Sequence, residues 1–169
     1  EPARRMLQAG GKRLRPLLTI ASAVASAPDV EVKPLDSRVR RGAASVELVH
    51  VGSLVHDDIM DEALSRRGVP TVNAVEGSNQ ALLVGDFLLA RAGVEAAYVS
   101  AEVAMSLAVT ISDLCDGQSL EGLHQFQARR SIDDAIESIR GKTGALMRAA
   151  CDIGALAVGR LDLAERSEE

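Results

Sequence analysis

The sequence predicts an all-α fold, and three observations carry that expectation. Apolar residues recur at helical spacing through long windows, and no apolar/polar alternation is sustained beyond a few residues. Aromatic residues make up only 2% of the chain, so the core has to be built from Ala, Leu, Val and Ile. Small side chains in that number let helices approach closely. The 169 residues, 47% hydrophobic and 25% charged, suffice for one domain with a core and have the balance of a soluble globular protein.

The elements follow in order. A first helix is expected from about Arg15–Pro16 through PLLTIASAVASA, since Pro is tolerated in a first turn. The loop APDVEVKP comes next. Asp36 can cap a long second helix from about Ser37 to Asp61, along which Val39, Ala43, Val46, Leu48, Val49, Leu54 and Val55 recur. SRRGVPTVN is a connector rich in turn residues. NQALLVGDFLLARAGVEAAYVS forms a third, largely buried helix, and AEVAMSLAVTISDLCDGQSLEGLHQ a fourth. SIDDAIESIRGKTGALMRAACDIGALAVG supplies two more, with Ser131 as a cap and Gly141 as a stop. The polar tail AERSEE is expected to fray.

The formal net charge of −5 excludes a chain that binds nucleic acid through its overall charge, so an anionic ligand has to be held by local basic clusters. Cys115 and Cys151 are too few for a disulfide framework or a zinc site and are expected to be buried free thiols. No apolar run approaches the roughly 18 residues that span a bilayer, and no signal peptide is visible. A cytoplasmic location is the default expectation.

HDDIMDEALSRRG, His56 to Gly68, is the unusual stretch. On a helix, Asp57 and Asp61 lie one turn apart on one face, with Asp58 about 100° round from Asp57. Like charges at that spacing repel, and the C-terminal end of a helix disfavours negative charge as well. A hard divalent cation removes both penalties, and Mg²⁺ characteristically takes one or two carboxylates together with phosphate oxygens. The alternative is a solvated acidic helix end. GGKRLRP, Gly10 to Pro16, places Lys12, Arg13 and Arg15 just ahead of a helix start, an arrangement that suits a phosphate but also fits a solubilising turn. Arg66 and Arg67 fall just after the aspartates and can fold back beside a metal. Adjacent arginines usually point to different sides, so each can serve a different anion.

His50 lies about 20° off the face of Asp57 and on the order of 10 Å down the same helix. A lone His on an apolar face is more often a satisfied core residue, and His56 and His124 are left with that reading. Lys142 and Thr143, after Gly141, are a further phosphate contact. Gln118 and Glu121 lie one turn apart in GQSLEG and extend a polar site. Together these features describe a helical bundle that holds diphosphates above an apolar cavity.

With GGKRLRP, HVGSLVHDDIMDEALSRRGVPT, GDFLLARA and GKTGALMRAACDIGA in this order over nearly the whole chain, the sequence resembles the trans-isoprenyl diphosphate synthases, the polyprenyl synthetases. The resemblance implies an isoprenoid-synthase helical bundle around an apolar central cavity. It also implies head-to-tail condensation of isopentenyl diphosphate with an allylic diphosphate, using Mg²⁺. By the resemblance, Asp57 and Asp61 ligate the metal, Asp58 supports or shares that role, and Lys142 joins these three as a catalytic residue. Arg66, Lys142, Thr143 and Gln118 contact the allylic diphosphate, while Lys12, Arg15, His50 and Arg67 hold isopentenyl diphosphate. Glu121 stands where the family's GQ motif often has Asp. A homodimer, and a peripheral membrane contact for product release, are implied in the same way.

Product length is read from Gly52 and Ser53, five and four residues before Asp57. In the family, bulky aromatics there stop chain growth early. Small residues imply a product longer than farnesyl, with geranylgeranyl the nearest competitor. The family's second aspartate-rich motif, in its C-terminal half, has no counterpart here, since Ser131–Asp134 (SIDD) opens a helix. The chain is therefore expected to be the N-terminal part, residues 1–169, of a single prenyltransferase domain. A non-catalytic regulatory or structural subunit of a heteromeric synthase is the competing reading. A terpene cyclase would not need the basic pocket, and a Mg²⁺ pyrophosphohydrolase is more distant still.

Overall fold

A computed structural model of the chain describes residues 2–27, 36–124 and 130–164. The described elements are α1 (Pro2–Gln8), α2 (Leu14–Ser26), α3 (Ser37–Met60), β1 (Ser65–Arg66), β2 (Val69–Pro70), α4 (Val72–Glu76), α5 (Ser78–Ala97), α6 (Ala101–His124), α7 (Ile132–Ile139), a π-helical turn (Arg140–Gly144), α8 (Ala145–Ala157) and α9 (Leu161–Ala164). The all-α expectation holds, and the helix starts follow the chemistry read from the sequence. The Asp36 carboxylate accepts from the Arg38 amide at the start of α3. At α7, Ser131 and Asp134 form a reciprocal capping box.

Helix α3 is the axis of the molecule and packs against α2, α5 and α8. Because it is covered on several sides, it carries no single apolar stripe. Val39, Val46 and Val49 join Ala92, Ala96, Val103, Leu107, Leu146, Ala149 and Ile153 in the main core. A second cluster of Met6, Val51, Val55, Val72, Ala81, Val84 and Leu88 ties α1 and α4 to the far end of α3 and α5. Small residues let backbones touch, as expected. A Cβ on Gly154 of α8 would lie 2.7 Å from Ser22 Cβ and 3.0 Å from Ala23 N, and the Ser22 hydroxyl donates to the Cys151 carbonyl at 2.7 Å across the same seam. No helix among the described residues is long and apolar enough to cross a membrane.

Several expectations need correction. Gly141 does not stop a helix. The chain runs from α7 through the π turn into α8, because Gly141 is used for backbone contact: its Cβ would lie 2.7 Å from Gly117 Cα and 2.9 Å from the Asp113 carbonyl. The connector SRRGVPTVN is an ordered hairpin with Arg66 opposite Val69, followed by α4. Cys115 is exposed and Cys151 half-buried, so the thiols are free but not core residues. His56 is half-buried, its Nε2 3.3 Å from the Leu82 carbonyl oxygen. The tail after Ala164, most of the loop before Asp36 and the His124 side chain lie outside the described residues.

Candidate diphosphate and metal site

The last turns of α3 carry the aspartates, and the way the helix ends sets up everything after it. Asp61 is its C-cap and Glu62 takes a left-handed φ of 50°. The Glu62 amide donates to the Ile59 carbonyl at 3.3 Å, and the Ala63 amide to the Asp58 carbonyl at 3.0 Å. This is a Schellman termination built on Glu rather than Gly. The reversed chain is then pinned from downstream. The Thr71 hydroxyl donates to the Ala63 carbonyl at 2.6 Å and the Asn73 amide to the same oxygen at 3.1 Å. Sequence reading missed both roles, although PTVN is a recognisable helix-start signal.

The three aspartates have different surroundings. Asp58 is 1% exposed, and its Oδ1 accepts from Arg66 Nε at 2.7 Å. Asp58 therefore anchors Arg66 rather than facing solvent. Asp57 is half-buried and Asp61 exposed. Burial pushes the Asp57 carboxyl above the usual carboxylate range; Lys142 opposes the shift, Asp61 reinforces it, and weaker effects come from Arg66 and Glu121. The same groups named from the sequence thus share one electrostatic neighbourhood.

Lys142 reaches it from the π turn, where its Nζ donates to Glu121 Oε2 of α6 at 2.5 Å. A Cβ on Gly117 would lie 2.7 Å from the Gly141 carbonyl carbon, so two facing glycines set how near Lys142 comes to α6. Gln118, one turn before Glu121, keeps its Oε1 buried without a partner among the described residues, and Thr143 is exposed beside Lys142. Gly52 is buried in the α3–α5 seam, where a Cβ would meet Leu89 at 3.2 Å. The half-buried Ser53 donates to the His50 carbonyl at 3.0 Å.

On the other side of the hairpin lies a cavity of about 300 Å³, lined by Gly11, Lys12, Arg13, Leu14, Arg15, Glu47, His50 and Arg67. All four residues expected to hold the second diphosphate line it. Glu47 and the role of Arg13 were missed. Arg13 donates to the Glu47 carboxylate and to the Leu7 carbonyl, and the spacing of Glu47 from His50 on α3 was the available signal. Burial first, and then Arg15, Arg67, Arg66 and Arg13, push the His50 imidazole down to about 4, so it is neutral at pH 7. Burial also lowers Arg15, with Glu47 opposing and Arg67 adding to the shift. Several arginines crowd a neutral imidazole here, and Glu47 is the acidic residue lining the cavity; such a site favours a multiply charged anion.

The hairpin links the aspartate cluster to the basic cavity. Arg67 and Gly68 form its two-residue turn with φ of 54° and 78°, the signs a type I′ turn requires. Arg66 points to Asp58, while Arg67 Nη1 donates to the Gly10 carbonyl at 2.6 Å. Adjacent arginines therefore do diverge, one to the aspartates and one to the basic cavity.

The donor set fits Mg²⁺. Among the described residues no three His, Cys, Asp or Glu side chains form a ready metal cage. Asp57 and Asp61, a helical turn apart, match an ion that takes one or two carboxylates and fills its octahedron with water and phosphate oxygens. Asp58 gives its Oδ1 to Arg66, and its Oδ2 is buried.

Comparison with known proteins gives one answer. The family model described as polyprenyl synthetase matches residues 1–168. The nonaprenyl diphosphate synthase of Mycobacterium tuberculosis is 38% identical over 93% of this chain and 45% of its own length. Component 2 of the heptaprenyl diphosphate synthase of Geobacillus stearothermophilus is 37% identical over 94% of the chain and 48% of its own length. A crystal structure of polyprenyl synthase from Caulobacter crescentus, complexed with calcium and isoprenyl diphosphate, superposes with a TM-score of 0.88 at 34% identity, covering 98% of this chain and 48% of that one. The chain thus spans about half the length of the relatives it matches. Sequence motifs and helical fold agree with these matches: the chain belongs to the polyprenyl synthetase family.

Proposed function

We propose that this chain supplies the substrate-binding half of a trans-prenyltransferase that condenses isopentenyl diphosphate with an allylic diphosphate. The observation that carries the reading is the aspartate and Lys142 cluster and the basic cavity, linked through the adjacent Arg66 and Arg67. In this reading Arg66 and Lys142 neutralise the allylic diphosphate as its carbon–oxygen bond breaks. Lys12, Arg15, His50 and Arg67 hold the homoallylic diphosphate, so that its double bond meets the allylic carbon and a carbon–carbon bond forms. One proton is then lost, for which the departing pyrophosphate is the natural acceptor. Mg²⁺, held by Asp57 and Asp61, would supply Lewis-acid stabilisation of the leaving group. Gln118 and Thr143 extend the allylic end.

The small residues Gly52 and Ser53 support a product longer than farnesyl. Exposed Leu83, Phe87, Val94 and Tyr98 along α5 and its C-cap support assembly as a homodimer. A regulatory subunit would not need both a basic pocket and the aspartates, so the catalytic reading is preferred. The deciding assay combines the purified protein with isopentenyl diphosphate, allylic primers of several lengths and Mg²⁺, and reads product length. Products beyond C15 that disappear with chelator and return with Mg²⁺ are expected. Mainly C15 product overturns the length assignment, and failure of the chain to bind either diphosphate, read by calorimetry, overturns the substrate assignment.

A further inference from the structure

We propose that Gly11 is a positioning residue whose missing side chain seats the Arg67 guanidinium, and that this seat sets the affinity of the basic pocket for the homoallylic diphosphate. The inference rests on the function proposed above. Arg67 lies 56 positions along the chain from Gly11, yet a Cβ on Gly11 would overlap Arg67 Nη1 and come within 3.4 Å of its Cζ. The same Nη1 donates to the Gly10 carbonyl at 2.6 Å. Gly10, by contrast, has open space where its Cβ would be. Both glycines hold a positive φ, 88° and 144°, and beyond that they do different work: Gly10 offers a carbonyl, and Gly11 leaves room for the guanidinium.

Arg67 reaches that space from a strained position. It is the first residue of the type I′ turn, with φ of 54°, where Asn, Asp or Gly is usual. Among the described residues, the non-glycine residues at positive φ are Arg13, Glu62 and Arg67. Arg13 and Arg67 line the basic pocket and Glu62 ends the aspartate helix, the clustering expected where backbone strain serves a ligand site. One donor of the guanidinium is committed to Gly10, leaving others for an anion. The glycine loop and the hairpin tip thus act as a clasp that fixes one charge beside His50 and Arg15, both of which feel the charge of Arg67.

The test is a double-mutant cycle of Gly11→Ala and Arg67→Ala, with circular dichroism confirming the fold. Steady-state kinetics on each substrate and the NMR titration of the His50 ring are the readouts. Gly11→Ala is expected to raise KM for isopentenyl diphosphate about tenfold and to change the allylic KM less than about twofold. Gly11 sits at φ 144°, so Gly11→Ala carries a backbone cost in either background, and the seat predicts that its effect on the KM for isopentenyl diphosphate shrinks once Arg67 is Ala. The His50 midpoint should rise in both single variants, since each removes a nearby cation. Should Gly11→Ala fail to fold, Arg67→Lys, which keeps the charge and removes the seated Nη1, is expected to raise the same KM, and an unchanged KM there overturns the seat. A Gly11→Ala effect that persists undiminished in the Arg67→Ala background overturns the seat, as does an unmoved His50 midpoint. A His50 midpoint that moves while KM for isopentenyl diphosphate stays constant leaves the seat intact and removes the basic pocket from homoallylic binding.

Discussion

His50 shows how one side chain reports on a whole pocket. Its folded-state value of about 4 lies below the ordinary 6.5, so between those values the unfolded chain binds more protons than the folded one. Stability therefore falls as pH drops from 6.5 toward 4, and His50 contributes no further slope below that. His50→Gln should flatten this part of the stability profile in urea titrations. The difference should stay below about 1.4 kcal/mol per pH unit, because the ring is only partly buried and solvent screens it. An unchanged slope would mean that the imidazole is not held neutral by its arginines. Glu62 offers a second test at this scale. It holds a left-handed conformation that glycine adopts freely, so Glu62→Gly should stabilise the protein by about 0.5–1 kcal/mol. A loss of stability in chemical denaturation would show that the Glu62 side chain, not its backbone, is what matters. Asp58→Asn should weaken stability by about 1–3 kcal/mol by removing the carboxylate that Arg66 Nε meets, with the allylic KM rising more than the homoallylic one.

The elements divide into those whose chemistry is local and those whose chemistry is not. The ranges of α2, α3, α5 and α6, and the caps at Asp36 and Ser131, were legible because helical periodicity and N-cap hydrogen bonds involve residues close in sequence. The divergence of Arg66 and Arg67 was legible too, since adjacent side chains rarely share a direction. Gly141 was misread for the opposite reason: glycine near a helix end usually marks a stop, whereas here it answers Gly117 on another helix. The hairpin was hidden because its turn begins with Arg, a residue that type I′ turns seldom use. Glu47 escaped notice because its partner Arg13 is 34 residues away. The α6–π-turn contact predicts that Gly117→Ala destabilises by about 1–3 kcal/mol, as overpacking does. Because the displaced backbone carries Lys142, activity should fall further than stability explains. Wild-type turnover in a folded Gly117→Ala protein would separate Lys142 from the reaction.

At the scale of the whole molecule, a core of Ala, Val and Leu closes around α3 and leaves large side chains outside. Leu83, Phe87, Val94 and Tyr98 are exposed, Phe87 by 56% and Tyr98 by 67%. At 100° per residue these four fall within about 60° of one another, a single stripe along α5 and its C-cap. The chain has only two Phe and one Tyr, so two of its three aromatics stand on this stripe. Arg41 lies over the Tyr98 ring, 4.5 Å from its centroid, and bonds Glu95, which fixes the end of the stripe against α3. A contiguous apolar face with an anchored aromatic is the form an interface takes. In the homodimer reading, two copies bury it against each other. Phe87→Asp would then place two charges in one interface and should weaken the dimer at least about a hundredfold, read by sedimentation equilibrium. Helix content by circular dichroism should be unchanged, because Phe87 is not part of the core that holds α5 to α3. A variant with wild-type association would place the dimer contact elsewhere, and one that unfolds would show that the stripe is covered within the chain's own fold.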